Sequence, residues 1–460
     1  MSSTRSIRSE AIGRALDVKP ESQFHPEPEG AIAVATIAGT ATAVPPFLLT
    51  REIVKQRMKD VFSLDGKRLE AIHAVIDNSQ IDQRHSVYPV EYIIEPRPLA
   101  QINNEYREKA IELGMRAAAE SLAKAEMAPS DVDLLMTVSC TGVMIPSLDA
   151  YLATEMGFRP DVRRLPVTEL GCAAGAAGLA HAGEYLRAFP DRTVLLVAVE
   201  LPTLTFQRKD FSQANLISAV LFGDGAAGVV VTGREVPGPR ILTSESYLFP
   251  NSLDAMGFDL RDSGFHIVLS KDVPQLIRER IRELVEGFLA RQGLRREDIS
   301  AFILHPGGQK LLSFMEAELD LTHTDTEFSW DVLRRFGNLS SASVLFILQE
   351  WLSKREMPSA GHGSGARSRP CWRVRVREDI TTGEVMKKPG EQPKGTDATP
   401  RLLTIAQVAD RLTVSVGCLR AWRIRGEGPP AIRIGSALRW DEREVDVWLN
   451  ARRESGGLAC

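Results

Sequence analysis

Four short apolar runs of β-prone residues, LLMTVSC (134–140), TVLLVAVE (193–200), AGVVVTG (227–233) and AFILHPG (301–307), punctuate this chain. They lack the polar alternation of a half-exposed strand, so each predicts a strand covered on both faces. The stretches Tyr106–Ala125, Leu148–Met156, Asp272–Gln292 and Ser341–Lys354 carry helical periodicity instead and predict the covering helices. Strands alternating with helices imply an α/β domain. An additional small-residue strand is predicted from Ala31, in AIAVATIAGTATAVPP, and the polar residues 1–30 before it predict a mobile arm.

At 460 residues the chain is too long for one ordinary domain. A 43% hydrophobic and 25% charged composition is that of a globular protein, and a net charge of -4 gives no global attraction to nucleic acid or membrane. The cysteines Cys140, Cys172, Cys371, Cys418 and Cys460 show neither CxxC nor Cys/His ligand spacing, so no disulfide framework and no metal site are expected. The first 30 residues have no apolar core of signal-peptide length, and no window approaches a membrane span. A cytoplasmic location follows as the expectation.

Three segments carry candidate chemistry. In TELGCAAGAAGLAHAGEYL (168–186) a cysteine stands where a strand-like run turns through small residues into a helix. The positive end of a helix favours thiolate, the nucleophilic form, although Cys172 also reads as a small packing residue. In AFILHPGGQKLLSFMEAEL (301–319), proline and paired glycines fix His305 at the exit of a run; a core histidine is the plainer alternative. In FGNLSSASVLFILQEWL (336–352), Asn338 lies in a turn before an apolar helix, where it also reads as a cap.

Together and in this order, GCAAG, LHPGG and GNLSS resemble the Cys-His-Asn triad of bacterial type III polyketide synthases, the chalcone/stilbene-synthase-like enzymes. SCTGVMIPSLD (139–149), LFGDGAAGVVV (221–231) and SKDVPQLI (270–277) resemble further signatures of that family. The resemblance implies a thiolase fold, with duplicated α/β halves in layered αβαβα order over 31–235 and 236–358. It implies that Cys172 carries the growing acyl chain, that His305 pairs with its thiolate, and that His305 and Asn338 donate to enolate and oxyanion oxygens. CoA thioesters would be the substrates, acyl-CoA and malonyl-CoA, with no cofactor or metal. Phe222 would be a gatekeeper between CoA tunnel and cavity, and Cys140, Thr205, Ser218, Ile267 and Ser340 would line the cavity. Cys140 resembles the second cysteine of tetrahydroxynaphthalene synthases. Ile145 would reach towards the partner's cavity in a homodimer.

Past Glu356 the texture departs from the family's. A glycine-rich loop and a last core strand are expected there, but GHGSGARSRPCWRVRVRED stands instead. Arginine at every second position does not suit a buried strand. A frameshift or fusion near Ser359 would account for the change, and a conventional terminal strand over 359–377 would argue against it. As an isolated element, CWRVRVRED…TTGEVMKK predicts a hairpin turning at Thr382-Gly383, within a basic, flexible linker over 359–400.

A compact pattern resumes over 401–455. Helices are expected over Ile405–Leu412, capped by Thr404, and up to Arg425, followed by strands Ala431–Ile434 and Leu438–Trp440 and a helix Asp441–Arg452. This resembles the winged helix-turn-helix of excisionase and MerR-type proteins. The resemblance implies DNA as a partner, with Arg420, Arg423, Arg425, Arg433 and Arg439 at phosphates. Val416 and Gly417 stand where relatives carry polar residues, which weakens base readout.

Four functions stay open: a synthase extending an acyl-CoA starter with malonyl-CoA to a pyrone or resorcinol; a malonyl-only tetrahydroxynaphthalene synthase; a single-condensation ketoacyl-ACP synthase III; and a DNA-binding regulator with an inactive synthase-like domain.

Overall fold

The computed structural model describes residues 35–249, 252–354, 373–377, 402–425, 428–434, 437–441, 444–445 and 448. The chain divides into two compact units, Met1–Met386 and Lys387–Cys460. The arm over 1–30 and most of the 359–400 linker lie outside the described residues.

The first unit contains the strands β1 (Ala35–Ala43), β2 (Phe47–Thr50), β3 (Gln83–Ser86), β4 (Leu134–Val138), β5 (Arg163–Val167), β6 (Thr193–Glu200), β7 (Gly225–Thr232), β8 (Arg240–Glu245), β9 (Met256–Arg261), β10 (Gly264–Leu269) and β11 (Arg373–Arg377). Its helices are α1 (Arg51–Phe62), α2 (Gly66–Asn78), α3 (Val90–Ile93), α4 (Leu99–Lys124), α5 (Leu148–Glu155), α6 (Ala174–Ala188), α7 (Gln213–Leu221), α8 (Val273–Arg291), α9 (Gln309–Glu318), α10 (Glu327–Phe336) and α11 (Ser343–Lys354).

Seven strands form one mixed sheet in the order β11-β8-β1-β7-β6-β4-β5. Every residue of β4, β6 and β7 is buried, as their unbroken apolar runs require. Alternate side chains serve opposite cores. Val194, Leu196 and Ala198 of β6 join α6 and α11, while Leu195, Val197 and Val199 join α4 and α5. Strands β4, β5 and β6 run parallel because α5 and α6 carry the crossovers between them. The second half gathers α8, α9 and α10 around Ile277, Ile281, Leu312, Met315 and Leu333.

Two expected strands require correction. The run 301–307 lies in extended chain without a ladder: Phe302 N–H donates to Asp325 O at 3.1 Å and Leu304 N–H to Ser329 Oγ at 3.1 Å. A strand exists only with a neighbour to pair with, and among the described residues none pairs with this run. Residues 373–377 do not form part of an isolated hairpin. They run parallel to β8 as β11, at the outer edge of the main sheet, where pairing is needed on one side only. The Thr382-Gly383 turn lies outside the described residues.

In the second unit, β12 (Leu402–Leu403), β13 (Ile432–Ile434) and β14 (Ala437–Asp441) form a sheet in the order β12-β14-β13, with α12 (Ile405–Arg411) and α13 (Val416–Arg425). Thr404 and Gln407 close a capping box at the start of α12. Leu403, Val408, Leu419, Trp422, Trp440 and Val445 build the core. Cys140 and Cys172 are free thiols.

Candidate active site

The cysteine segment folds as its small residues demand. Gly171, at φ +55°, starts a single 3-10 turn over Gly171–Ala173 that places Cys172 two residues ahead of α6. A side-chain carbon at Gly175 would lie 2.1 Å from Ser341 O, so only glycine lets the 340–342 turn rest on the first turn of α6. Through that contact Ser340 meets the nucleophile: Cys172 Sγ donates to Ser340 Oγ at 3.5 Å.

Asn338 is buried and fixed on three sides. Its N–H donates to Leu221 O at 2.9 Å, its carbonyl accepts from Gly223 N–H at 3.1 Å, and its Oδ1 accepts from Ser340 N–H at 2.8 Å. With Oδ1 occupied, the side-chain Nδ2 makes no hydrogen bond to any described residue and stays available as a donor.

His305 ends the unladdered run, and Gly307 N–H turns back to its carbonyl at 2.9 Å. The imidazole is 9% exposed, and its buried Nδ1 has no hydrogen-bond partner. The position of a side-chain carbon on Gly308 is 3.7 Å from Leu221, the residue whose carbonyl holds Asn338. Leu221 and Ser340 thus connect the three segments. The expected thiolate–imidazolium pair is nevertheless absent: the sulfur's partner is Ser340 and not His305. Burial pushes the Cys172 thiol up to about 11, with the Ser340 hydroxyl pulling it down and Glu200 pushing the same way as burial. Burial also pushes His305 down to about 4. Each group is neutral at pH 7 because burial penalises its charged form.

Cys140 lies across the same hydroxyl, its Sγ 3.5 Å from Ser340 Oγ and 3.5 Å from Glu200 Oε1. Thr205 uses its hydroxyl on Pro202 O at 2.8 Å. Ile267 is half-buried on β10. Ser218 and Phe222 line a cavity beside α7, and Phe222 bridges to Asn338 through the backbone. Ile145 is 95% exposed. Among the described residues, no three His, Cys, Asp or Glu side chains converge as metal ligands, and no helix is long and apolar enough to cross a membrane.

Residues 28–235 match the family model for the N-terminal domain of chalcone and stilbene synthases, and residues 240–367 match that for the C-terminal domain. A 1,3,6,8-tetrahydroxynaphthalene synthase of Streptomyces peucetius subsp. caesius is 36% identical over 331 residues, which is 71% of this chain and 87% of that one. A putative chalcone synthase of Bacillus subtilis is 32% identical over 343 residues, 72% of this chain and 94% of that one. The chain belongs to the chalcone and stilbene synthase family. The crystal structure of the 1,3,6,8-tetrahydroxynaphthalene synthase of Streptomyces coelicolor A3(2), a bacterial type III polyketide synthase, superposes with a TM-score of 0.67 at 32% identity, covering 70% of this chain and 91% of that one. The first unit has the thiolase fold of these synthases. Residues 402–453 match a helix-turn-helix domain family.

Within this synthase unit, three buried charged residues went unread in the sequence. Glu200 accepts from Cys140 N–H at 3.1 Å, Thr141 Oγ1 at 3.0 Å and Ser341 Oγ at 2.5 Å, and so ties the end of β4 to the Ser340 turn. Burial raises its carboxyl above the usual range against these hydrogen bonds. Asp224 accepts from the N–H groups of Val87 and Thr203, both at 2.9 Å, and burial raises it to about 6. Arg84 Nη1 donates to Phe222 O at 2.6 Å and Ala219 O at 2.8 Å, anchoring the segment that holds Asn338. The available signal was a charge ending an otherwise apolar run, as in TVLLVAVE.

The neutral thiol gives a pH test. Below its pKa the thiolate fraction falls tenfold per pH unit, so iodoacetamide alkylation of Cys172 should rise about tenfold per unit from pH 7 to 10 and level only near 11. Peptide mapping after timed alkylation reads this; a plateau reaching down to pH 6 would show a preformed ion pair.

Proposed function

We propose that the first unit is a type III polyketide synthase that extends an acyl-CoA starter with malonyl-CoA and releases an alkylpyrone or alkylresorcinol. The Cys172 sulfur attacks the starter thioester while its proton passes to the neutral His305 imidazole, which returns it to the departing CoA thiolate. Malonyl-CoA then loses carbon dioxide, and its enolate oxygen is stabilised by the free Asn338 amide and the His305 ring N–H. The enolate carbon attacks the Cys172 thioester, the sulfur leaves, and the lengthened chain returns to it for another round. The observation that carries this reading is the placement of Asn338: its Oδ1 is occupied by Ser340 N–H, its donor end is free, and Ser340 Oγ meets the nucleophilic sulfur. The reading includes a homodimer in which the exposed Ile145 meets the partner, and a cytoplasmic location.

A malonyl-only reading is favoured by a separate observation, the second sulfur of Cys140 sharing Ser340 with Cys172, and by the tetrahydroxynaphthalene synthases among the relatives. Product analysis with labelled malonyl-CoA, with and without decanoyl-CoA, decides between them. A decanoyl-primed pyrone supports the first reading, and a starter-free pentaketide the second. A single condensation product would indicate a ketoacyl synthase, and no product an inactive domain.

For the second unit we propose DNA binding through phosphates. Arg420, Arg423 and Arg425 lie on α13 and Arg433 on β13, with side chains outside the described residues, while Arg439 is half-buried on β14 and donates to Leu438 O at 2.9 Å. If all five neutralise phosphates, affinity of the full chain for duplex DNA should fall about 500-fold between 50 and 200 mM salt. Gel retardation across that salt range checks this, and no retardation even at low salt would refute it.

A further inference from the structure

Away from the cysteine site, one cluster joins a hydroxyl, an imidazole and a carboxylate in series. Ser263 lies in the turn between β9 and β10, His266 lies on β10, and Asp210 comes from the segment before α7. Ser263 Oγ is 2.7 Å from His266 Nε2, and His266 Nδ1 is 3.4 Å from Asp210 Oδ2. Among the described residues, no hydrogen bond joins any of the three to Cys172, His305 or Asn338.

The backbone around the cluster is tied together. Gln207 Nε2 donates to Ser263 O at 3.3 Å and to Phe265 O at 3.2 Å, so the segment bearing Asp210 is fastened to the hairpin bearing the other two. Asn215 Nδ2 donates to Gln207 O at 2.8 Å and to Asp210 O at 2.7 Å, which fixes that segment in turn. Asp210 Oδ1 accepts from Ser212 N–H at 2.8 Å, leaving Oδ2 for the imidazole. Burial pushes the Asp210 carboxyl up, but the hydrogen bonds from Ser212 and His266 outweigh it and hold the group below the usual carboxylate range. A carboxylate beside Nδ1 selects the tautomer that carries its proton there. Nε2 then presents a lone pair, and the Ser263 hydroxyl donates to it. That is the order a nucleophile, its base and an orienting group require, with the longer base–carboxylate contact typical of an unliganded site. Exposure divides the same way: the His266 and Asp210 side chains are 12% and 20% exposed, while Ser263 is open to solvent. A histidine held for packing alone needs no hydroxyl at an exposed turn, where water would serve as well.

We propose that Ser263, His266 and Asp210 form a second reactive centre, a serine esterase site for small acyl groups on good leaving groups. Ser263 Oγ attacks the ester carbonyl carbon as its proton passes to His266 Nε2. The tetrahedral intermediate expels the alcohol or phenol oxygen, which takes that proton. Water then attacks the acyl-serine and gives a proton to His266; the carboxylic acid leaves as Ser263 regains its proton. Only ester and water are consumed. An exposed nucleophile draws little binding energy from burying its substrate, which restricts the site to activated esters. This centre is independent of the synthase reading.

The test uses the full-length protein carrying Cys172→Ala, which removes the thiol of the synthase site, with p-nitrophenyl acetate as substrate. Ser263→Ala and His266→Gln should each lower the protein-dependent hydrolysis about 100-fold, and the two together no further, because they act as one unit. A fluorophosphonate, which phosphonylates an activated serine with loss of fluoride, should label Ser263 of the unaltered protein, as peptide mapping reads; this outcome depends on no variant folding. In protein that keeps the cysteine, Ser263→Ala should leave acylation of Cys172 by acyl-CoA unchanged. Unchanged hydrolysis in Ser263→Ala, no label on Ser263, or labelling as fast in His266→Gln would overturn the proposal. Loss of Cys172 acylation in Ser263→Ala would also overturn it, by making the cluster part of the cysteine site.

Discussion

Cys172→Ala should remove the acyl adduct entirely and lower product formation at least about 1,000-fold, the scale on which loss of a covalent nucleophile acts. The second thiol makes this a demanding test. Cys140 shares Ser340 Oγ with Cys172, so simple proximity would let it take over the acyl group. Its environment argues otherwise. Burial holds the Cys140 thiol well above the usual range, and the neighbouring Glu200 carboxylate pushes it further, since a thiolate there would face a like charge. The Ser340 hydroxyl pulls both thiols towards thiolate and Glu200 pushes both away from it, but only Cys172 has in addition its own backbone N–H pulling towards thiolate. Intact-protein mass spectrometry after exposure to acyl-CoA should therefore show one adduct on the unaltered protein, none on Cys172→Ala, and one on Cys140→Ser. An adduct retained by Cys172→Ala would make Cys140 the acyl carrier. Truncating a half-buried thiol leaves the packing nearly intact, so equal melting temperatures would separate lost chemistry from lost fold.

What the sequence made legible was whatever burial alone determines. The runs that became β4, β6 and β7 are apolar throughout because helices cover both their faces, and that demand is written in every residue. The same logic failed for 301–307, whose apolar residues are equally suggestive. A ladder depends on a second segment arriving alongside, and among the described residues none pairs with this run. The converse error concerned 373–377, where alternating arginines argued against a place in the sheet and an edge position accepted the backbone. Of the site, Cys172, Asn338 and Ser340 were legible as motif residues, and the structure joins them through two hydrogen bonds. Glu200 and Arg84 were not, because their importance comes from donors and acceptors 59 to 141 residues away. The charge states of Cys172 and His305 were also illegible. A helix N-terminus favours thiolate locally, but desolvation, a property of the assembled surroundings, outweighs it.

The second large effect is expected from one methyl group. Gly175→Ala should lower product formation about 100-fold or more and destabilise the synthase unit by about 1–3 kcal/mol, the usual penalty for overpacking. The added carbon would lie 2.1 Å from Ser341 O and 3.0 Å from Val344 Cγ2. Its principal obstacle is backbone, which cannot swing aside as a side chain does. Ser341 is also held from behind by its bond to the buried Glu200, so the turn cannot retreat without breaking that contact. Relief must come from separating α6 from the 340–342 turn, and the turn carries Ser340 with it. A displacement of about 1 Å would lengthen the 3.5 Å Cys172–Ser340 contact and shift Asn338, whose Oδ1 is tied to Ser340 N–H. The loss should therefore appear in kcat for condensation more than in KM for acyl-CoA, because the turn positions the nucleophile and the asparagine amide. Steady-state kinetics and thermal unfolding of the variant measure both effects. Unchanged kcat and melting temperature in Gly175→Ala would mean that the nucleophile and the asparagine turn need no such close approach, and the account of the site built on that contact would fail.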